Sequence, residues 1–273
     1  MILAAALATT RAAYSQDTQT PGPPDTHALP TLFIVGDSTV KNGTRGAFGW
    51  GEKIGALFDQ NKIKIQNRAI AGRSSRTFLS EGRWDKILAD AQPGDYVIIQ
   101  MGHNDGGRLD DPARARGSLP GTGEETREID NPVTGKHEVV HTYGWYLRKY
   151  VADAREKHMT PILCSPIPHR PRQPVDAADP VEKSNFVTWS KEVADAEKAP
   201  FVDLNRLIST KYVGMDPAVI KEKYFTPADD THTSAEGAEL NAACAVEGLR
   251  KLKDCPLASY LAEPKGGAAA ASN

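Results

Sequence analysis

The stretch Thr31-Leu-Phe-Ile-Val-Gly-Asp-Ser-Thr39 joins a continuous apolar run to a polar corner. Runs that are apolar at successive positions are typical of parallel strands covered by helices on both faces. A serine at the corner after such a strand is held rigidly and still faces solvent. The stretch therefore predicts a buried parallel strand that ends in a candidate nucleophile, Ser38.

Four further segments resemble strands, and helical patterns separate them. The predicted strands cover 63–67, 95–101, 160–165 and 200–203, and the predicted helices cover 49–58, 84–91, 143–157, 181–197 and 234–252. Ser234 has the character of a helix N-cap, with Glu236 in the first turn. Alternating strands and helices predict one α/β domain with a parallel sheet. In that architecture sites form beyond the carboxyl ends of the strands, where Ser38, Gly72 and Asn104 are predicted to lie.

The composition is that of an ordinary globular protein, with 273 residues, 40% of them hydrophobic and 25% charged. The formal net charge of −2 argues against nucleic acid as a partner, and no apolar run reaches the roughly 18 residues that a membrane span needs. We predict a folded domain over 30–262, between an N-terminal segment (1–29) and a flexible tail (263–273). The N-terminal segment resembles the remnant of a secretory signal followed by a proline-rich linker, and it favours a secreted or periplasmic protein over one with a plain disordered start.

The three cysteines are too few for a disulfide scaffold. Cys164 lies in an apolar run and is predicted to be a buried thiol. On one continuous helix Cys244 and Cys255 would lie about 16 Å apart, so they could pair only where the chain turns back between them. Their pairing is left open at this point.

A serine hydroxyl is a weak nucleophile and needs an adjacent base. His232 is the best candidate, because Asp229 lies three residues before it and could accept from its Nδ1 and fix its tautomer. An oxyanion needs preorganised donors, which the backbone N–H groups of Ser38 and Gly72 and the side chain of Asn104 could supply. Taken singly, these residues also fit a helix N-cap and ordinary polar turns.

Four blocks of this sequence resemble those of the SGNH (GDSL-type) hydrolases, in the same order. They are Gly36-Asp-Ser-Thr39, the block around Gly72, Gly102-His-Asn-Asp105 and Asp229-x-x-His232. The resemblance implies a three-layer α/β/α sandwich with a central five-stranded parallel sheet, as in flavodoxin-like folds. It also implies Ser38 as nucleophile, Asp229 and His232 as the rest of a triad, and an oxyanion hole of Ser38, Gly72 and Asn104. No metal and no cofactor are implied.

Within that family, the Gly-Asp-Ser-Thr and Asn-Arg-Ala-Ile-Ala-Gly-Arg-Ser segments and the stretch 141–148 most resemble rhamnogalacturonan acetylesterases. The expected substrate is then an acetylated pectic polysaccharide, with no partner protein evident. Arg73 and Arg76 flank Gly72 and are candidates for binding galacturonate carboxylates, although surface ion pairs would also explain them. Three tryptophans (Trp50, Trp84, Trp145) and Tyr143 could stack on sugars or lie in the core.

Several alternatives remain open. An esterase for another acetylated glycan such as xylan, a lipase or thioesterase of the same fold, and an inactive carbohydrate-binding module all fit the blocks. His137-Glu-Val-Val-His141 matches the H-E-x-x-H zinc motif, which requires a helix. The Asn131-Pro-Val-Thr-Gly135 segment and the β-branched pair disfavour a helix, so we interpret 105–142 as a long polar insertion at the rim of the site.

Overall fold

A five-stranded parallel sheet lies at the centre of the protein in the computed structural model, which describes residues 29–253 and 255–263. The strands are β1 (Thr31–Gly36), β2 (Lys64–Asn67), β3 (Tyr96–Gln100), β4 (Thr126–Asp130), β5 (His137–His141), β6 (Thr160–Cys164) and β7 (Phe201–Val202). The helices are α1 (Ser75–Ser80), α2 (Arg83–Asp90), α3 (Tyr143–Glu156), α4 (Asn185–Glu197), α5 (Leu204–Tyr212), α6 (Pro217–Tyr224) and α7 (Ala235–Lys251). The sheet order is β2-β1-β3-β6-β7, and β4 pairs with β5 in a separate antiparallel hairpin.

Helices cover both faces of the sheet. Successive residues of a strand face opposite sides, so Leu32 and Ile34 of β1 pack with α5, α6 and α7, whereas Phe33 and Val35 pack with α1 to α4. This double burial explains why β1 is apolar at successive positions from Leu32 to Val35. The predicted three-layer α/β/α sandwich is confirmed.

The site lies where the chain reverses its direction of travel across the sheet. From β1 the chain moves to β2 on one side, and it then crosses back to β3 on the other. Such a switch point leaves a crevice beyond the carboxyl ends of the two central strands. The Gly-Asp-Ser corner follows β1 at this crevice, and Asn104 follows β3.

Two predicted helices differ in the structure. Residues 49–58 form two short 3-10 turns, Trp50–Glu52 and Ile54–Leu57, in place of an α-helix. Here a Cβ on Gly49 would come within 2.1 Å of the Val40 backbone. Close approach to the chain after β1 therefore requires glycine at a position where glycine weakens a helix. The helix predicted from 181 begins at Asn185, after Ser184, whose backbone is extended (φ −129°, ψ 131°).

Other elements follow or extend the prediction. Ser234 caps α7 as predicted, accepting from the Gly237 N–H at 3.1 Å. Within the predicted polar insertion at 105–142, the chain forms the β4–β5 hairpin, which the sequence pattern does not indicate. Cys164, Cys244 and Cys255 are buried free thiols. The predicted segments 1–29 and 263–273 lie almost wholly outside the described residues, among which no helix is long and apolar enough to cross a membrane.

Candidate active site

Ser38 and His232 meet at the crevice, although 194 residues separate them in the chain. His232 Nε2 is 2.9 Å from Ser38 Oγ, and His232 Nδ1 is 2.6 Å from Asp229 Oδ2. An ionised carboxylate only accepts hydrogen bonds, so Nδ1 carries the proton and the Nε2 lone pair faces the serine hydroxyl. All three predicted residues come together in the tautomer that lets the imidazole accept the serine proton.

A tight turn before α7 builds the acid–imidazole pair. Asp229 Oδ1 accepts from the backbone N–H groups of Thr231 and His232, both at 2.8 Å. Partial burial opposes ionisation, but the hydrogen bonds from His232 and Thr231 outweigh it and lower the pKa of Asp229. The neighbouring Asp230 points away from the imidazole and pairs with Arg170 and Arg172. The turn therefore offers one carboxylate to His232 and uses the other to fasten itself to the chain after β6.

Three potential oxyanion donors lie beside Ser38. Gly72 and Asn104 line the same cavity as Ser38 and His232. Gly72 has φ +76°, a left-handed conformation that glycine adopts without strain. Within the described residues, neither the Ser38 nor the Gly72 backbone N–H has a hydrogen-bond partner. Asn104 Nδ2 donates to the Arg73 carbonyl at 2.9 Å, which fixes the amide and leaves its second hydrogen for another acceptor.

The cavity has a volume of about 560 Å³, within the range of small-molecule sites. The insertion supplies one wall, through Arg114, Arg116 and the hairpin tip at Val133. Arg116 Nη1 donates to the Gly72 carbonyl at 3.3 Å. Burial and the charge of Arg114 lower the pKa of Arg116. Neither guanidinium forms an ion pair within 4.0 Å in the part of the chain that the structure describes, so both present positive charge to the cavity.

The structure contradicts the predicted substrate-binding role of Arg76. Its side chain is fully buried and forms a bidentate pair with Glu138 at 2.7 and 2.6 Å. It also donates to the Gly117 carbonyl at 2.8 Å. Its position in the first turn of α1 directs the side chain under the insertion and away from the cavity. Arg76 therefore supports the wall of the site.

Arg73, the other arginine predicted to bind substrate, lines the cavity. Its Nε donates to Glu81 at 3.0 Å, and Glu81 also pairs with Arg83 at 2.5 Å. Glu81 thus partly neutralises Arg73 at the rim. Arg114 and Arg116 belong to the insertion predicted at the rim of the site, and the folded insertion places both of them in the cavity lining.

The H-E-x-x-H motif lies on β5, where it cannot form a helical zinc site. Four residues along a strand span about 13 Å, so His137 and His141 do not reach one ion. Glu138 is bound by Arg76 and by Asn131 Nδ2, and these contacts lower its pKa against the opposing effect of burial. In residues 29–253 and 255–263, no group of three potential ligands lies close enough to hold a metal.

The large aromatic side chains belong mainly to the core. Trp50, Trp84 and Tyr143 are fully buried, which excludes them from sugar stacking. Trp145 is half-buried and stacks on His141, with ring centroids 3.7 Å apart.

A serine, an imidazole and a carboxylate in this order beyond a parallel sheet are typical of serine hydrolases. The family model described as GDSL-like Lipase/Acylhydrolase matches residues 34–240. The chain belongs to this family and is a carboxylic ester hydrolase.

Curated relatives of this chain carry the name rhamnogalacturonan acetylesterase. A rhamnogalacturonan acetylesterase of Emericella nidulans is 32% identical over 78% of this chain and 81% of its own length. A probable rhamnogalacturonan acetylesterase of Bacillus subtilis, YesY, is 29% identical over 81% of this chain and 93% of its own length.

Solved structures share the fold at lower identity. The Bacillus subtilis protein YxiM superposes with a TM-score of 0.65 at 22% identity, over 82% of this chain and 57% of its own. The acetylxylan esterase Axe2 from Geobacillus stearothermophilus superposes with a TM-score of 0.54 at 20% identity, over 80% of this chain and 93% of its own.

Proposed function

We propose that this protein is a serine-dependent acetylesterase that removes acetyl groups from rhamnogalacturonan. The contact of Ser38 Oγ with His232, and of His232 in turn with Asp229, is the observation that carries the proposal. The names of the two relatives support the choice of substrate. The proposed reaction needs only groups of the protein and water, without a metal or a cofactor.

The reaction proceeds through an acetyl-enzyme. His232 Nε2 takes the Ser38 proton while Oγ attacks the acetyl carbonyl carbon, and the oxyanion that forms accepts from Ser38 N–H, Gly72 N–H and Asn104 Nδ2. The bond to the sugar oxygen then breaks, and His232 returns the proton to that oxygen. Water attacks the acetyl carbon with His232 again as base. Acetate leaves and the Ser38 hydroxyl is restored.

The charge of the cavity favours an acidic glycan. Rhamnogalacturonan carries galacturonate carboxylates, which arginine binds in a planar, bidentate manner. Arg114 and Arg116 face the cavity without a carboxylate partner among the described residues, and Arg73 shares its carboxylate with Arg83. Positive charge beside the nucleophile suits a uronate better than it suits neutral xylan.

The residues that line the cavity argue against the alternative that the protein is a lipase. Among the lining residues, the apolar side chains are those of two alanines and Val133, and the others are polar, charged or glycine. A long acyl chain would gain little from such walls, because its binding depends on buried apolar area. A small acetyl group fits these polar walls, because its binding does not depend on a large buried apolar area.

The signal-like start of the sequence supports a secreted or periplasmic location, where a polysaccharide is accessible. Analysis of the N-terminus of the protein recovered from its native host tests this, since removal of the first residues is expected.

Released acetate, measured by mass spectrometry, tests the proposed function on acetylated pectin rich in rhamnogalacturonan, acetylated xylan and p-nitrophenyl acetate. We expect the highest kcat/KM among the polysaccharides on the pectic polymer, with a burst of acetyl-enzyme. Equal or faster release from xylan would move the assignment to a neutral glycan. Binding of pectin without any acetate release would indicate an inactive binding module.

A further inference from the structure

A buried carboxylate lies directly before the nucleophile. Asp37 has no exposed surface, and its Oδ1 accepts from the backbone N–H and the hydroxyl of Thr39, both at 2.8 Å. Its Oδ2 faces Nδ1 of His103 at 3.4 Å, a distance suited to an ion pair. Within the described residues neither of these two buried atoms has a hydrogen-bond partner. A charge on Asp37 therefore depends on His103 for compensation.

The second nitrogen of His103 fixes the protonation of the ring. His103 Nε2 lies 3.0 Å from the Ile167 carbonyl, which only accepts, so Nε2 carries a proton. A neutral ring would then point the Nδ1 lone pair at Asp37 Oδ2, with both atoms shielded from water. A proton on Nδ1 removes this repulsion. The contacts therefore favour an imidazolium paired with the Asp37 carboxylate.

The charges around the pair support this state. The Asp37 carboxylate raises the pKa of His103 against the opposing effect of burial, and Glu182 adds to the increase. Burial likewise opposes the charge on Asp37, but His103 and Thr39 lower its pKa. The His169 ring packs edge-on to His103 at 5.3 Å between centroids and itself pairs with Glu182. Asp105 and Arg116 are the further charges that act on Asp37.

The pair connects the two strand ends that carry the chemistry. Asp37 is adjacent to Ser38 after β1, and His103 is adjacent to Asn104 after β3. We propose that His103 is a positioning residue which, as an imidazolium, neutralises Asp37 and so keeps the oxyanion hole favourable to negative charge. An uncompensated Asp37 carboxylate would repel the oxyanion that forms beside Ser38. This inference rests on the proposed serine mechanism.

We expect the proposed role of His103 to appear in the alkaline limb of the pH profile. His103 has to stay charged, so kcat falls at alkaline pH as His103 loses its proton, above the ordinary histidine value of 6.5. A residue that only filled space would leave the alkaline limb unchanged.

His103→Gln keeps a donor for the Ile167 carbonyl and removes the charge. On p-nitrophenyl acetate, corrected for spontaneous hydrolysis, we expect kcat to fall by about 10- to 100-fold, below the loss typical of removing an oxyanion donor. The fall in kcat at alkaline pH should also disappear in this variant. Asp37→Asn in the same chain removes the carboxylate that needs compensation, and the double variant should regain at least about tenfold over His103→Gln. A double variant no more active than His103→Gln, with native circular dichroism, would overturn the proposal.

A measurement on the wild-type protein tests the proposal even if the variants fail to fold. In 15N-histidine spectra of the full chain near pH 6, we expect one buried ring with both nitrogens protonated, and His103→Gln identifies it by its absence. A singly protonated His103 ring would contradict the proposal whatever the activity data show. Activity retained by Ser38→Ala would instead defeat the proposed serine mechanism, so the two failures are distinguishable.

Discussion

Arg76 and Glu138, 62 residues apart in the chain, join through two parallel hydrogen bonds of 2.7 and 2.6 Å. The pair fastens the β4–β5 hairpin to α1. Arg76 also holds the Gly117 carbonyl, and Glu138 also holds the Asn131 amide. The wall that carries Arg114 and Arg116 therefore depends on one buried guanidinium.

Breaking this pair should cost folding stability. We expect Glu138→Gln to lower the free energy of unfolding by about 3 kcal/mol, because it leaves the buried Arg76 without a counter-charge. Urea unfolding measures the loss. Glu81→Gln, which breaks exposed pairs with Arg73 and Arg83, is the matched control and should cost at most about 1 kcal/mol. Equal losses in the two variants would show that the pair is not the anchor of the wall.

Ser38→Ala should abolish turnover in a folded protein. The triad acts as a unit, so we expect kcat on p-nitrophenyl acetate to fall by about 10⁴-fold or more. Thermal unfolding serves as the control, and it should change little because Ser38 is only partly buried and, among the described residues, its hydroxyl forms a hydrogen bond only with His232. Substantial activity in this variant would remove Ser38 from the nucleophile role.

Asp229 and Asp230, in the turn before α7, should differ in their effect on kcat. Asp229→Asn is expected to reduce kcat by about 10³- to 10⁴-fold, because the amide cannot stabilise the imidazolium and favours the wrong tautomer. Asp230→Asn should reduce kcat less than about tenfold, since Asp230 contacts arginines and not His232. Steady-state kinetics on p-nitrophenyl acetate provides the comparison. The reverse ranking would transfer the acid role to Asp230.

Arg116 and Arg114 should affect the polymer more than the small ester. A charge-assisted hydrogen bond to a carboxylate is worth about 1.5–3 kcal/mol, so Arg116→Gln should lower kcat/KM on acetylated pectin by about 10- to 100-fold relative to p-nitrophenyl acetate. Arg114 is exposed, and Arg114→Gln should show a smaller change in the same ratio. Added salt should weaken only the reaction with pectin.

Arg73→Gln is the matched control for these variants, since Glu81 already pairs with Arg73 in the same cavity. Arg73→Gln should change the ratio of kcat/KM on acetylated pectin to kcat/KM on p-nitrophenyl acetate by less than about threefold, because an exposed ion pair contributes little. If Arg116→Gln lowers both reactions equally, the arginine supports Gly72 and does not bind the substrate. The pectic assignment would then lose the support of the cavity charge.

Asp105 should make stability fall between pH 4 and pH 7. Burial raises its pKa to about 6 from 3.8, against hydrogen bonds from Ser75 and Ser118. Between these values the folded chain binds more protons than the unfolded chain, so stability decreases as pH rises. Across this range, the unfolding free energy of wild type should fall by about 3 kcal/mol relative to that of Asp105→Asn. If the difference in unfolding free energy between wild type and Asp105→Asn stays constant over this pH range, burial does not raise the pKa of Asp105.

The strands and the Asp229–His232 pair were predictable because their signals are local, and the pairing of His232 with Ser38 followed from the resemblance to SGNH hydrolases. The apolar run before Ser38 reflects burial on both faces, and the Asp229–His232 contact forms within a single turn. The 3-10 turns at 49–58 were not predictable, since the constraint on Gly49 comes from Val40 across the fold.

The structural role of Arg76 could not be predicted either, because its partner Glu138 lies in a hairpin that the sequence pattern does not indicate. His103 was visible in the sequence, inside the Gly-His-Asn-Asp block. The proposed role of His103 depends on its contacts with Asp37 and Ile167, which follow two other strands of the sheet. Long-range partners of charged residues are therefore the part of the site that sequence patterns did not supply.

The large separation between Ser38 and His232 makes hydrolysis a reporter of folding. The nucleophile follows the first strand of the sheet and the base precedes the last long helix, so the sheet and its covering helices have to be assembled before the two atoms meet. Contacts of such sequence separation form late, because chain closure is costly in entropy. During refolding, recovery of ester cleavage should lag behind the return of helical circular dichroism. The enzyme thus provides a chromogenic assay for completion of its own tertiary structure.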